Sequence, residues 1–409
     1  MDNLALLKEA ENILNPIFSE IDTKVKQNLQ KVLEAFRDHR VGVHHFASVS
    51  GYGHDDLGRE TLDRVFAQIM GAESAIVRVQ LVSGTHAIAC ALYGVLRPGD
   101  ELLAVMGAPY DTLEEVIGVR GHGQGSLSEF NISYRELTLT PQGSVDWEGL
   151  KTAIKPHTRL ALIQRSCGYS WRSSLSIDEI AEIIRIIKHQ NPHTVCFVDN
   201  CYGEFIENRE PTAVGADLMA GSLIKNPGGT IATAGGYLAG KAEFVEAAAC
   251  RLTAPGIGSE GGATFDQNRL LFQGLFLAPQ MVGEAVKGTH LMAYVFDKLG
   301  YGVNPLPLVP RRDVIQAIKL GSPEKLIAFC KAIQSVSPVG SYLDPVPATM
   351  PGYESEVVMA GGSFIDGSTS EFSADGPLRE PYTVFCQGAT HWTHVAIALE
   401  LILESFEKI

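Results

Sequence analysis

The sequence predicts an α/β protein: a large domain with a mainly parallel sheet, then a smaller α+β C-terminal domain. Two observations predict it. Between Leu81 and about Gly240, short apolar runs alternate with helical patterns, and such alternation builds a parallel sheet with helices on both faces. Beyond Leu299, the segment 300–310 carries Pro305, Pro307 and Pro310 and reads as a hinge into a second unit.

The elements follow in order. Residues from about 3 to 38 place apolar side chains at helical spacing (Leu4, Leu7, Ile13, then Val25, Leu29, Val32, Leu33, Phe36) and read as two amphipathic helices broken near Pro16. Strands are predicted at 101–106, 160–164, 194–198 and 219–224, and helices at 85–96 and 177–190. A long helical segment covers roughly 265–299, and a last helix runs from about His391 to Phe406. The division that results is an N-terminal helical segment (1–50), a large domain (51–299) and a small domain (300–409). No internal repeat or low-complexity tract interrupts it.

Bulk properties exclude several function classes. A 409-residue chain with 45% apolar and 20% charged residues buries a large core. Its net charge of -14 opposes phosphate backbones and anionic lipid, so nucleic acid and membrane are not expected partners. The cysteines, Cys90, Cys167, Cys196, Cys201, Cys250, Cys330 and Cys386, are odd in number and form no CxxC pair, which fits a reduced cytoplasm better than a disulfide framework or a zinc site. The first 18 residues carry Asp2, Lys8, Glu9 and Glu11 and lack the pattern of a signal peptide, and no stretch is apolar enough to span a bilayer. Gly51 and Gly53 with Gly58 lack the spacing and preceding strand of a dinucleotide loop, and His44-His45 point apart on regular structure, so no metal site is expected.

Three motifs stand where such a sheet presents its ligands, beyond the carboxyl ends of the strands. Ser83-Gly84-Thr85-His86 opens a helix; Gly84 lets the backbone approach an anion, and the first-turn N–H groups supply donors, although a plain helix cap has the same pattern. Asp199 ends an apolar strand, where a carboxylate either pairs with a protonated pyridine nitrogen or caps the following loop. Lys225 leaves a strand into Asn226-Pro227-Gly228-Gly229; beside Leu223 and Ile224 its amine is expected to be partly desolvated, with a lowered pKa that favours imine formation. In the order phosphate turn, aspartate, lysine, the three describe a site for pyridoxal 5'-phosphate (PLP).

Gly51-Tyr52-Gly53-His54-Asp55-Asp56-Leu57-Gly58-Arg59, Val82-Ser83-Gly84-Thr85-His86-Ala87-Ile88, Pro109-Tyr110-Asp111-Thr112-Leu113-Glu114-Glu115 and Ser373-Ala374-Asp375-Gly376-Pro377 extend this reading. In these stretches the chain resembles the methionine gamma-lyase-like proteins labelled aluminium-resistance proteins, relatives of cystathionine beta-lyase. That resemblance implies the aspartate-aminotransferase-like PLP-dependent transferase fold type I, and a homodimer or homotetramer with active sites shared between subunits. By the same resemblance Lys225 holds the cofactor as an imine, Asp199 pairs with the pyridine nitrogen, Gly84, Thr85 and Ser222 bind phosphate, and Tyr110 stacks on the ring. Tyr52 and Arg59 are implied to reach the phosphate from the neighbouring subunit, against the plainer alternative of a surface salt bridge to Asp55 or Asp56. Arg379 is implied to grip the substrate α-carboxylate.

Two departures stand out: Ile224 replaces the usual threonine before the lysine, and Gln164-Arg165-Ser166-Cys167-Gly168-Tyr169 replaces an asparagine-containing loop. Within that loop Cys167 reads as a small buried filler more readily than as a reactive thiol. The implied activity is a PLP-dependent carbon–sulfur lyase of amino-acid metabolism, removing a thiol from a sulfur amino acid in the manner of methionine gamma-lyase or cystathionine beta-lyase. Lys225 would serve as general base, and Tyr110 or Lys225 would protonate the leaving sulfur. An aldolase, an aminotransferase and a low-turnover PLP-binding stress-tolerance protein remain alternatives, because one cofactor geometry serves them all.

Overall fold

A computed structural model describes residues 3–350 and 355–409; Met1, Asp2 and residues 351–354, parts of the predicted N-terminal segment and small domain, lie outside it. The chain opens with α1 (Asn3–Asp38) and continues through α2 (Leu57–Met70), β1 (Ser74–Arg78), α3 (Gly84–Val95), β2 (Glu101–Ala104), α4 (Asp111–Ile117) and β3 (Ser133–Glu136). Next come α5 (Trp147–Ala153), β4 (Thr158–Gln164), α6 (Ile177–Gln190), β5 (Val195–Asp199), β6 (Leu218–Ser222), β7 (Gly236–Gly240), α7 (Ala242–Leu252) and α8 (Asn268–Lys298). The last part holds β8 (Gly302–Asn304), β9 (Ile315–Lys319), α9 (Pro323–Ser335), β10 (Val357–Ala360), β11 (Ser373–Pro377), β12 (Thr383–Gln387) and α10 (Trp392–Phe406).

Among the described residues, the first seven strands form one sheet in the order β1-β7-β6-β5-β4-β2-β3. Pairing is parallel from β6 across to β3, whereas β7 runs antiparallel to both its neighbours. Alternate residues serve opposite faces. Leu160, Leu162, Phe197 and Leu218 pack with residues of α3, α4 and α7. Ala161, Ile163, Val198 and Met219 pack with α1, α2, α6 and α8. Covering both faces is what allows β5 to be buried along its whole length. The remaining five strands form an antiparallel sheet, β10-β11-β12-β9-β8, backed by α9 and α8, with α10 packed on both helices. The expected architecture, a mainly parallel large sheet followed by a smaller α+β unit, is the one observed.

One expectation is overturned. Residues 3–38 form a single helix that runs through Pro16. An interior proline costs roughly 3 kcal/mol. Against that, Leu6, Leu7, Leu14, Phe18, Ile21 and Val32 are buried on one stripe, much of it against α8, and each contributes about 1.5–3 kcal/mol. Packing therefore outweighs the local break. Conversely, Ile177–Gln190 begins and ends where predicted, because Ser176 and Glu179 form a reciprocal capping box. No helix among the described residues is long and apolar enough to cross a membrane.

The turn after β6 is wedged against α8. A Cβ at Gly228 would lie 1.8 Å from the Leu223 carbonyl oxygen, and one at Gly229, where φ is 51°, would lie 2.3 Å from the Gly274 carbonyl oxygen on α8. These glycines let the backbones touch, and that contact fixes where Lys225 leaves the sheet. Gly228→Ala is expected to lower stability by about 2–3 kcal/mol, read as a shifted urea midpoint with an unchanged slope.

Candidate active site

Beyond the carboxyl ends of the parallel strands lies a cavity of about 520 Å³, lined by Gly84, Thr85, Tyr110, Asp199, Ser222, Lys225 and Arg379 among others. Residues spread over some 300 positions of sequence thus meet at one edge of the sheet, which is where open α/β sheets bind ligands.

Its floor is built at the start of α3. Ser83 caps the helix, its Oγ accepting from the His86 N–H at 3.1 Å. A Cβ at Gly84 would stand 3.2 Å from Cys201 Sγ and 3.3 Å from Ser222 Cβ, so the absence of a side chain is what brings this turn against the end of β6. Thr85 Oγ1 lies 3.0 Å from the Tyr110 hydroxyl. The Tyr110 N–H in turn donates to Gln164 Oε1 at 3.1 Å, and Gln164 Nε2 donates to the Ser166 carbonyl at 3.1 Å. Tyr110 is thereby fixed at both its hydroxyl and its backbone. Burial, reinforced by Asp199, raises its pKa and keeps the hydroxyl protonated at neutral pH.

Asp199 ends β5 between Gln164 of β4 and Ala220 of β6. The Cys201 N–H donates to its Oδ1 at 3.1 Å, while burial raises the carboxyl pKa above the ordinary value. Lys225 faces it from the next strand. Its Nζ sits 3.9 Å from the ring centroid of Tyr202, a residue whose backbone is held left-handed at φ 71°. Here the expected lowering of the lysine pKa is overturned. Burial does pull the ammonium down, yet Tyr202, Cys201 and Asp199 around it outweigh that pull and hold the pKa above the usual lysine value.

Arg379 stands exposed at the rim, just past β11. Tyr52 and Arg59 lie away from the cavity of their own chain. Tyr52 is 84% exposed. Arg59 is 1% exposed, and its guanidinium donates to the carbonyls of Gly53, Gly262 (2.9 Å) and Glu260 (3.2 Å). Both readings of Arg59, a reach to a neighbour's phosphate and a surface salt bridge, are corrected by this burial: the side chain ties its own loop to the 260–262 segment. Cys167 is buried, and burial pushes its thiol up to about 12.

Several site residues escaped the motif reading. Tyr202 lies only three positions past Asp199, and that spacing was the available signal. Gln164 orients Tyr110. Asp375 of β11 lines the cavity from the second sheet, and burial pushes its carboxyl up to about 6.

The architecture is that of PLP-dependent proteins of fold type I. It is shared with the PLP-dependent protein YhfS of Escherichia coli at a TM-score of 0.65 and 15% identity, over 94% of this chain and 96% of that one. The family profile described as methionine gamma-lyase matches residues 3–407, and the chain belongs to that family. YnbB of Bacillus subtilis strain 168 is 49% identical over 392 residues, 96% of this chain and 93% of that protein. A carbon-sulfur lyase involved in aluminum resistance from Clostridium novyi NT superposes with a TM-score of 0.94 at 44% identity, covering 99% of this chain and 96% of that one. A candidate cystathionine beta-lyase involved in aluminum resistance from Listeria monocytogenes gives a TM-score of 0.96 at 46% identity, covering 98% of this chain and 99% of that one.

Behind the lysine lies a second buried acid. Glu204 Oε1 accepts from the Tyr237 hydroxyl at 2.7 Å, and the Glu204 carbonyl accepts from Nδ2 of Asn226, the residue after Lys225, at 3.0 Å. Burial pushes the Glu204 carboxyl from 4.5 up to about 8. Between those values the unfolded chain gives up this proton while the folded chain keeps it. The contribution to stability is therefore full below 4.5 and is lost as pH rises through 8. Glu204→Gln keeps an acceptor for Tyr237 without the titration. Its thermal midpoint should gain on the wild type progressively from about pH 5 to pH 8, and a constant difference across that range would contradict the assignment.

Proposed function

We propose that the protein is a PLP-dependent carbon–sulfur lyase that removes a thiol from a sulfur-containing amino acid. The observation that carries this reading is the meeting of Lys225 and Asp199, from the ends of adjacent strands β6 and β5, in one cavity with the N-terminal turn of α3. The donor set suits the cofactor. First-turn N–H groups of α3 and the Ser222 hydroxyl suit a phosphate, with Gly84 leaving the space a Cβ would fill. Asp199, a buried carboxylate at the strand end, suits a protonated pyridine nitrogen, and the partly buried Tyr110 ring suits stacking. When bound, PLP supplies an electron-poor ring that takes up the electron pair left at the substrate Cα.

The rest falls to the chain's own residues. Arg379 offers a planar fork to the α-carboxylate at the rim. Lys225 Nζ, held over the Tyr202 ring, takes the Cα proton as the unprotonated amine, and in γ-elimination takes one from Cβ only after handing the first on within the site. The Tyr110 hydroxyl, kept protonated by burial, is a proton source for the departing sulfur. Membership of the methionine gamma-lyase family and the carbon-sulfur lyase named from Clostridium novyi support this choice among PLP reactions.

Tyr52, exposed beside the 260–262 segment, is placed in this proposal at an interface, where it completes a neighbouring subunit's site in a homodimer or homotetramer. The free thiols of the seven cysteines suit a reducing cytoplasm.

Protein supplied with PLP is expected to show an absorption band near the visible edge that is lost in Lys225→Ala. Thiol and 2-oxo acid release from cystathionine, cysteine or methionine should fall by a factor of roughly 10²–10⁴ in that variant. A colourless protein, or a coloured one that releases thiol from none of the three, would overturn the proposal.

A further inference from the structure

The small sheet turns one acidic side chain into the cavity. Asp375 on β11 pairs with Phe385 on β12, and Gln387 follows two positions on, so all three share the face that lines the site. Around them the wall is apolar, with Ile315 on β9 and the Tyr169 ring 5.1 Å from that of Phe385. Tyr169 and Gln387 lie beside the Asp375 carboxyl and pull its pKa down, yet its Oδ1 is buried without a hydrogen-bond partner among the described residues. Burial pushes this carboxyl up to about 6, against the pull of Tyr169, Lys225 and Gln387, so it is still largely ionised at neutral pH.

The other charges at the cavity have uses. Asp111 is paired with Arg120 at 2.8 Å. Asp199 and Lys225 face each other across the cofactor seat, and Arg379 is assigned to the α-carboxylate. Asp366 is exposed at the rim. Asp375 is left as a partly buried carboxylate with a bare oxygen, and a bare buried acceptor is costly unless a donor arrives. A substrate whose arm ends in a methyl group brings no donor. One whose arm ends in an ammonium brings three N–H groups and a positive charge.

We propose that Asp375 reads the substrate's side chain and selects amino acids whose sulfur-borne arm carries an ammonium group over those with a neutral arm. The inference deepens the lyase reading and rests on it. It makes Asp375 a specificity residue, and it sets methionine-like compounds below diamino ones as substrates.

The test compares S-(2-aminoethyl)-L-cysteine with S-propyl-L-cysteine, which differ in a terminal ammonium against a terminal methyl, on the full chain loaded with PLP. Steady-state thiol release should favour the aminoethyl compound by at least about tenfold in kcat/KM, with the difference in KM. In Asp375→Asn the ratio should fall to within about twofold of one. Equal values in the wild type, or a preference that survives in Asp375→Asn, overturns the inference, and the wild-type comparison stands even where the variant fails to fold. Should neither compound release thiol, the lyase reading is decided separately by cystathionine, cysteine and methionine. The ratio of the two Kd values, measured by calorimetry on the same protein, then decides the role of Asp375 by the same tenfold criterion.

Discussion

The parallel pairing of β5 with β6 is the constraint on which the rest depends. Asp199 sits opposite Ala220, so the two strands run out at the same edge and deliver an acid and, a few residues later, an amine to the same side of the sheet. Parallel strands need a crossover between them, and that detour is why residues 26 positions apart in sequence end as neighbours. The glycine contacts are consequences of this geometry. Gly84 brings the start of α3 against Ser222, and Gly228 with Gly229 presses the lysine turn onto α8. If any of the three carried a side chain, the anion seat or the amine would move relative to the aspartate, and catalytic geometry tolerates little displacement.

Beneath this edge the chain buries several charged side chains. Arg165 is fully buried and donates to Asn200 Oδ1 at 2.9 Å, the Gly203 carbonyl at 2.9 Å and Glu207 Oε1 at 3.0 Å. Glu210 accepts from Asn200 Nδ2 at 3.0 Å and from the Phe205 N–H at 2.9 Å. Such pairs add little net stability, because desolvation consumes most of the Coulombic gain. What they do is hold the 199–210 loop in one conformation. Tyr202 and Phe205 both have left-handed backbones, at φ 71° and 63°, a cost that persists only where surroundings over-determine it. The strained Tyr202 is the residue that carries the Lys225 ammonium over its ring, so the network beneath it sets the height and tilt of the amine.

What was legible in the sequence follows from the range of the interactions involved. Asp199 and Lys225 could be read because strand ends and glycine-rich turns are local patterns, and Ile177–Gln190 because its cap and its periodicity lie within a few residues. Pro16 misled because its local cost is set against tertiary burial, which no window of sequence contains. The lysine pKa misled in a similar way: desolvation could be inferred from Leu223 and Ile224, but the neighbours that outweigh it arrive from the end of β5 and the turn after it. Arg59 lies in a recognisable motif, yet whether its side chain points out to a neighbour or in to Gly53 and Gly262 depends on a segment 200 residues away. Asp375 could not be assigned a face at all without the register of β11 on β12.

The second sheet is more than a cover. Asp313 accepts from the hydroxyls of Ser166, at 2.9 Å, and Ser174, and from the Ile315 N–H at 3.0 Å. It therefore joins the 164–174 loop of the large sheet to the first residue of β9. The tilted contact of the Tyr169 and Phe385 rings makes a second join between the same two units. Both joins fasten this loop to the wall that carries Asp375, Phe385 and Gln387. Gln164, at the root of the loop, orients Tyr110, so the face that would read a substrate's arm and the tyrosine that would protonate its sulfur hang from one run of hydrogen bonds. On the proposed function, a shift of the small sheet that opened this wall would also disturb the tyrosine, and recognition of the arm would be coupled to departure of the thiol.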